Sequence, residues 1–246
     1  MNNKIHHLQD VNNEMLAYYF NDLKSDTTIF FFGGYSSDMT GTKATALNNW
    51  TESNGINYLR FDYSGHGQSS GDFGKGTLSK WLGEAKFFFE KFKSKKNIII
   101  GSSMGGWIAL LTALKNIDVN GLIGIASAPD FTKNEWDRLS ETEKEEFESN
   151  GSILFPDDDY GDYEVFYEFV KDGFQHEILN DKIKITCPVR LLHGKLDKVI
   201  AYNVSEKIIE QLSTSDKSLT IIEDGDHNLS RQKDLEILFL KVKELI

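Results

Sequence analysis

Gly101-Ser102-Ser103-Met104-Gly105-Gly106 is the stretch of the chain with the most chemistry in it. A serine set between glycines in a G-x-S-x-G pattern can occupy a turn too tight for larger neighbours, with its hydroxyl lifted clear of the backbone. The pattern alone is weak, because short glycine and serine matches also arise by chance. Its setting strengthens it. The apolar run Asn97–Ile100 ahead of it reads as a strand, and Met104 onward reads as a helix. A strand-to-helix turn is what a nucleophile elbow requires, and the first amides of the helix, Met104 N–H among them, then face the same space as Oγ. The bland reading is a glycine-rich turn or a phosphate loop, and no G-x-x-x-x-G-K-S/T sequence supports the latter.

A serine nucleophile needs a base and a carboxylate to orient it. Of six histidines, His227 lies beyond the last expected strand and before the last helix, on a loop at the carboxyl end of the sheet. His193 ends a strand and reads as a structural or supporting group. His66 follows a strand and borders the expected site, while His176 belongs to the segment after residue 130. His227 is therefore the expected base. Asp197 follows the next-to-last strand at the same end of the sheet and is preferred over Asp130, Asp224 and Asp226 as the orienting acid. A surface turn is the default for any one aspartate, but the order Ser103, Asp197, His227 is that of the nucleophile-elbow enzymes. The second oxyanion donor is expected in Phe32-Gly33-Gly34-Tyr35, where the glycines let the backbone approach the nucleophile and Tyr35 N–H points inward.

The elements that must position these residues alternate along the chain. Thr27–Phe32, Asn57–Phe61, Asn97–Ile100, Gly121–Ala126, Val189–Leu192 and Leu219–Ile222 are short, nearly continuous apolar runs. Helical patterns separate them at Thr42–Asn54, Leu78–Lys93, Met104–Lys115, Val204–Leu212 and Gln232–Leu245. Apolar strands alternating with helices imply a mostly parallel sheet covered on both faces, a doubly wound α/β fold. From Asp130 to Ile185 the alternation stops, leaving an acidic helix at Ser140–Glu148, the run Asp157-Asp158-Asp159 and the aromatic segment Tyr160–Phe174. The stretch is too long for an ordinary crossover. The expected organisation is a core of residues 1–129 and 186–246 with a helical cap insertion at 130–185. Its aromatic residues either pack the insertion or line an apolar substrate site.

Composition narrows the function class. The net charge of −11 argues against a nucleic-acid partner. One cysteine, Cys187, rules out an internal disulfide framework, and no Cys/His spacing suggests zinc. His6-His7 reads as part of a frayed polar terminus. The N-terminus lacks a secretory apolar core and no apolar run is long enough to span a bilayer, so stable membrane insertion is not expected and a cytoplasmic location is. Oligomeric state is not legible.

The chain resembles the α/β-hydrolase superfamily from about Ile29 to Leu245. The resemblance is carried by Gly33-Gly34-Tyr35, Arg60-Phe61-Asp62-Tyr63-Ser64-Gly65-His66-Gly67-Gln68-Ser69, the elbow through Trp107, Leu191-Leu192-His193-Gly194 with Asp197, and Asp226-His227. Within the superfamily it is similar to bacterial relatives of a mitochondrial palmitoyl-protein thioesterase that is also an acyl-glucuronide esterase, through Gly41-Thr42-Lys43-Ala44, Arg60–Gly65 and Trp107. The resemblance implies Ser103 as nucleophile, Asp197 and His227 as its partners, Tyr35 and Met104 as oxyanion donors, and no metal or organic cofactor. The implied reaction is hydrolysis of a small-molecule ester or acylated substrate, a carboxylic ester or thioester, through an acyl-enzyme. A peptidase or lyase on the same triad and a non-catalytic small-molecule binding module are the alternatives.

Overall fold

The computed structural model describes residues 4–115, 118–155 and 161–246. Eight strands form one sheet: β1 (His6–Gln9), β2 (Met15–Asn21), β3 (Thr27–Phe32), β4 (Asn57–Phe61), β5 (Lys96–Ser102), β6 (Gly121–Ile125), β9 (Val189–Gly194) and β10 (Lys217–Ile222), in the order β1-β2-β4-β3-β5-β6-β9-β10. From β4 to β10 every pair is parallel, while β1 and β2 join antiparallel at one edge. The expected doubly wound, mostly parallel sheet is present.

Side chains of successive strand residues leave opposite faces of a sheet, which sorts the core into two layers. Ile29 and Phe31 of β3, with Ile98 and Ile100 of β5, pack on one face under α1 (Thr42–Ser53) and α8 (Gln232–Lys243). Phe30, Phe32 and Ile99 pack on the other, under α2 (Leu78–Phe92) and α3 (Met104–Lys115). The amphipathic pattern of α2 explains its seat: Trp81, Leu82, Ala85, Phe88 and Phe89 are all buried. The chain leaves β3 toward β4 on one side and returns to β5 on the other. That reversal opens a crevice at the carboxyl ends of β3 and β5, where ligands bind in open α/β sheets.

Strands β1 and β2 were not expected, and His6-His7 is part of a strand rather than a frayed end. His6 pairs with Tyr18 and His7 with Ala17, so neighbouring backbone supplies the order that apolar burial does not. Between β6 and β9 lie α4 (Phe131–Arg138), α5 (Glu141–Asn150), β7 (Ser152–Phe155), β8 (Tyr163–Phe166) and α6 (Tyr167–Gly173). Ser140 caps α5 in a reciprocal box with Glu143. The antiparallel hairpin β7–β8 corrects the expectation of a strand-free segment; its strands have four residues each and pair only with one another. Asp157-Asp158-Asp159 and Tyr160 lie outside the described residues. The remaining segment, α7 (Asn203–Gln211), follows β9.

One carboxylate is conspicuous in the core. Glu84 of α2 is 1% exposed; its Oε2 accepts Ser64 N–H at 2.8 Å, and its Oε1 has no partner among the described residues. Burial pushes its carboxyl from 4.5 up to about 7, against the lowering pull of Ser64 and Lys80. The folded state therefore holds this proton more tightly than the unfolded chain does. The resulting stability is complete below the unfolded value and is lost as pH rises through about 7. Glu84→Gln is expected to remove that decline, about 3 kcal/mol, leaving the variant more stable than wild type above neutrality. Melting curves at acidic and alkaline pH check this; parallel losses in both proteins would contradict it.

Candidate active site

Ser103 lies directly after β5 with φ of +55°, a left-handed conformation that costs a non-glycine residue about 1–3 kcal/mol. The elbow is held by backbone bonds from Ser103 N–H to Ile125 O (2.9 Å) and from Gly106 and Ala128 N–H to Ser103 O (2.9 and 3.1 Å). Glycine is required beside it. A Cβ on Gly105 would lie 2.2 Å from Phe32 O, and one on Gly101 would lie 2.2 Å from Gly105 O. These contacts bring the elbow against the end of β3 and leave no room for side chains.

His227 Nε2 is 3.1 Å from Ser103 Oγ, and His227 Nδ1 is 2.7 Å from Asp197 Oδ2. An ionised carboxylate only accepts, so Nδ1 carries the proton and Nε2 is left to accept from the serine hydroxyl. The three residues come together in the order and spacing expected of them. Asp197 is fully buried as a side chain. Its Oδ1 accepts the amides of Val199 and Ile200 at 2.9 and 2.8 Å. Burial alone raises its carboxyl, but hydrogen bonds from His193 and His227, the His227 charge and the Ile200 amide outweigh burial and hold it well below the usual carboxylate range.

His193 stands closer to this chain than the sequence reveals. It is fully buried, and its Nε2 lies 3.0 Å from Asp197 Oδ2 and 2.9 Å from Ile200 O. Two acceptors at one nitrogen place the proton on Nε2, so Nδ1 accepts from Ser205 Oγ at 2.7 Å. The other candidates go elsewhere. His66 does not border Ser103; its ring packs on Phe73 and Trp81, each with centroids 4.9 Å away. Asp130 clasps the ends of the segment after β6, accepting Ile178 and Leu179 N–H at 2.9 Å each. Asp226 accepts Leu229 N–H, Asp224 pairs with Arg231 and Lys233, and His176 contacts Ser79 Oγ at 2.7 Å.

Met104 is the first residue of α3, so its own N–H has no acceptor one turn earlier in the helix. Opposite it runs Gly33-Gly34-Tyr35; a Cβ on Gly34 would sit 3.4 Å from Ser103 Cβ, so the two loops are in contact. The side chain of Tyr35 turns the other way. Its ring packs against Phe73, Trp81, Phe131 and Phe169, and Oη donates to Glu164 O of β8 at 2.9 Å. A cavity of about 350 Å³ opens beside Ser103, lined by Gly33, Gly34, Ser37, Lys43, Ser103 and His227. Among the described residues no group of three or more His, Cys, Asp or Glu side chains could hold a metal ion, and no helix is long and apolar enough to cross a membrane.

A parallel sheet, an elbow after its central strand and a serine–histidine–aspartate chain at its carboxyl end define an α/β-hydrolase. The chain belongs to the family described as serine aminopeptidase, S33, whose model matches residues 24–144 and 162–234. It is 33% identical over 221 residues to the mitochondrial palmitoyl-protein thioesterase ABHD10 of Mus musculus, covering 89% of this chain and 74% of the relative. The Homo sapiens protein of that name is also 33% identical, with 72% of it covered. A solved structure from Agrobacterium vitis S4, described only in general terms as a hydrolase, is 35% identical and superposes with a TM-score of 0.92 over 99% of this chain and 98% of that one. Mouse α/β-hydrolase domain-containing protein 10 superposes with a TM-score of 0.91 at 31% identity, covering 98% of each chain.

Tyr35→Phe deletes the bond to Glu164 while keeping the backbone amide and the ring. It is expected to cost about 1 kcal/mol of stability in urea unfolding. Hydrogen exchange should speed up first at β8; unchanged stability and exchange would show that this bond holds nothing in place.

Proposed function

We propose that the protein is a serine hydrolase of carboxylic esters or thioesters that works through an acyl-enzyme. The observation that carries this reading is the continuous chain from Ser103 Oγ through His227 to Asp197, at 3.1 and 2.7 Å. In this mechanism His227 takes the hydroxyl proton through Nε2 as Oγ attacks the substrate carbonyl. Asp197, kept ionised by its partners, stabilises the imidazolium that forms. Negative charge on the carbonyl oxygen is met by the amides of Tyr35 and Met104, a contribution of about 3–4 kcal/mol per donor by analogy with other acyl-transfer sites. His227 then returns the proton to the leaving alcohol or thiol. Water, activated by the same histidine, attacks the acyl carbonyl and releases the acid and free Ser103.

The substrate class rests on the named relatives. Relatives at 33% identity are named palmitoyl-protein thioesterases, which favours acyl esters and thioesters over peptides. We assign the segment at 130–185 as a cap over the core formed by 1–129 and 186–246; its Phe131 and Phe169 are buried against the ring of Tyr35, which ties the segment to the loop beside Ser103. The family description favours a second reading, peptide-bond cleavage on the same residues, which amino-acid naphthylamides would detect.

Exposure to a fluorophosphonate followed by intact-mass measurement is expected to give one adduct per chain, lost in Ser103→Ala and in His227→Ala. Ser103→Ala should lower ester turnover by about 10⁴-fold or more with an unchanged melting temperature. No adduct on folded wild type would favour a non-catalytic binding module. In a series of nitrophenyl esters, turnover is expected to persist as the acyl chain lengthens; activity confined to acetate would defeat a long-chain acyl substrate.

A further inference from the structure

Lys43 is the second residue of α1 and lines the cavity beside Ser103. Its Nζ donates to the carbonyl oxygen of Asn228, the residue after His227. The mechanism above makes no use of this side chain, and a half-buried ammonium beside the nucleophile calls for an explanation.

The loop that carries His227 is strained. Leu229 has φ of +43°, in the left-handed region where a branched side chain costs about 1–3 kcal/mol. Within the loop, Leu229 N–H donates to Asp226 Oδ1 at 2.9 Å and Ser230 Oγ donates to Asn228 O at 3.0 Å. Its start is fixed by Leu196 N–H on Gly225 O (2.8 Å), and its end by Arg231, whose guanidinium joins Asp224 and Asp234. Both sets of anchors come from the carboxyl-terminal part of the sheet. Lys43 instead reaches the middle of the loop from the helix that follows Gly33-Gly34-Tyr35. A bond at Asn228 O resists relaxation of the strained turn just where the turn would carry His227 away from Ser103.

We infer that Lys43 is a positioning residue: its bond to the Asn228 carbonyl holds His227 against Ser103. The inference rests on the hydrolase mechanism proposed above. Misplacement of a reacting group by about 1 Å can cost about 10²-fold in rate, so one such tether has a large effect.

The charge state of the tether follows from its surroundings. Burial lowers the Lys43 ammonium to about 8, and the facing carboxylates Asp226, from the loop, and Asp234, from α8, pull it back up without closing an ion pair. Asp38 and His227 line the same cavity. Below about 8 the bond is charge-assisted; above it a neutral amine makes a weaker one.

The test compares wild type with Lys43→Met, Lys43→Gln and Lys43→Arg, using a nitrophenyl ester across neutral and alkaline pH. Melting temperatures and fluorophosphonate labelling rates are measured on the same samples. Met and Gln are expected to lower kcat by about 10- to 100-fold, with KM changed less than about threefold and labelling slowed in proportion. Arg should restore most of the rate. Wild-type kcat should fall as pH rises through about 8, and that limb should be missing from Met and Gln. Should Met fail to fold, the wild-type limb and the contrast between Gln and Arg decide the matter. Folded Met or Gln variants with wild-type kcat and pH profile would overturn the inference. A raised KM with unchanged kcat would also overturn it, by placing Lys43 on the substrate. A wild type that neither labels nor turns over ester would overturn the hydrolase mechanism itself, and this role with it; a labelled, active wild type beside unaffected variants overturns only the role of Lys43.

Discussion

The left-handed backbone of Ser103 is the constraint on which the other features depend. A strand can pass directly into a helix with its junction residue raised above the sheet only if that residue takes a positive φ and its neighbours have almost no side chains. Gly105 is pressed against Phe32 O, which fixes how β3 ends and sends Gly33 and Gly34 past the elbow. The helix that begins at Met104 cannot shift without breaking the backbone bonds that Ile125 and Ala128 make with Ser103. The glycine pattern and the path of the loop after β3 both follow from one strained residue.

Two buried carboxylates show how surroundings rather than depth decide ionisation. Asp197 has a full set of partners, with two backbone amides on one oxygen and two imidazoles on the other, and stays charged. Glu84 has one amide and an unpartnered oxygen, and its charged form is disfavoured by burial. The difference is one of hydrogen-bond supply. It keeps a fixed negative charge behind His227, whereas the carboxyl in α2 depends on pH.

The parallel strands were legible because strands buried on both faces read as continuous apolar runs, and all six start within two residues of the expected positions. The elbow, His227 and Asp197 were legible because chain order and strand ends place them at one end of the sheet. Other features were not. β1 is mostly exposed and owes its existence to a partner strand, so its own residues carry little signal. In β2 the signal was a continuous apolar and aromatic run, Met15-Leu16-Ala17-Tyr18-Tyr19-Phe20, ahead of the first expected strand. His66 was expected to border the site, and only packing showed its ring turned onto Trp81. The bond from His193 to Asp197 and that from Lys43 to Asn228 depend on side-chain direction, which spacing along the chain does not encode.

Tyr35 contributes its backbone to one structure and its side chain to another. The backbone lies beside the nucleophile; the ring and hydroxyl belong to the packing of the segment between β6 and β9. That segment is consequently no freely exchangeable module. Transplanting residues 130–185 from a relative would bring a new set of neighbours to Tyr35, Phe73 and Trp81 and disturb the loop beside Ser103 from behind. Chimeras that carry these three positions along with the segment respect the true seam of the molecule, which runs between the backbone and the side chain of a single residue.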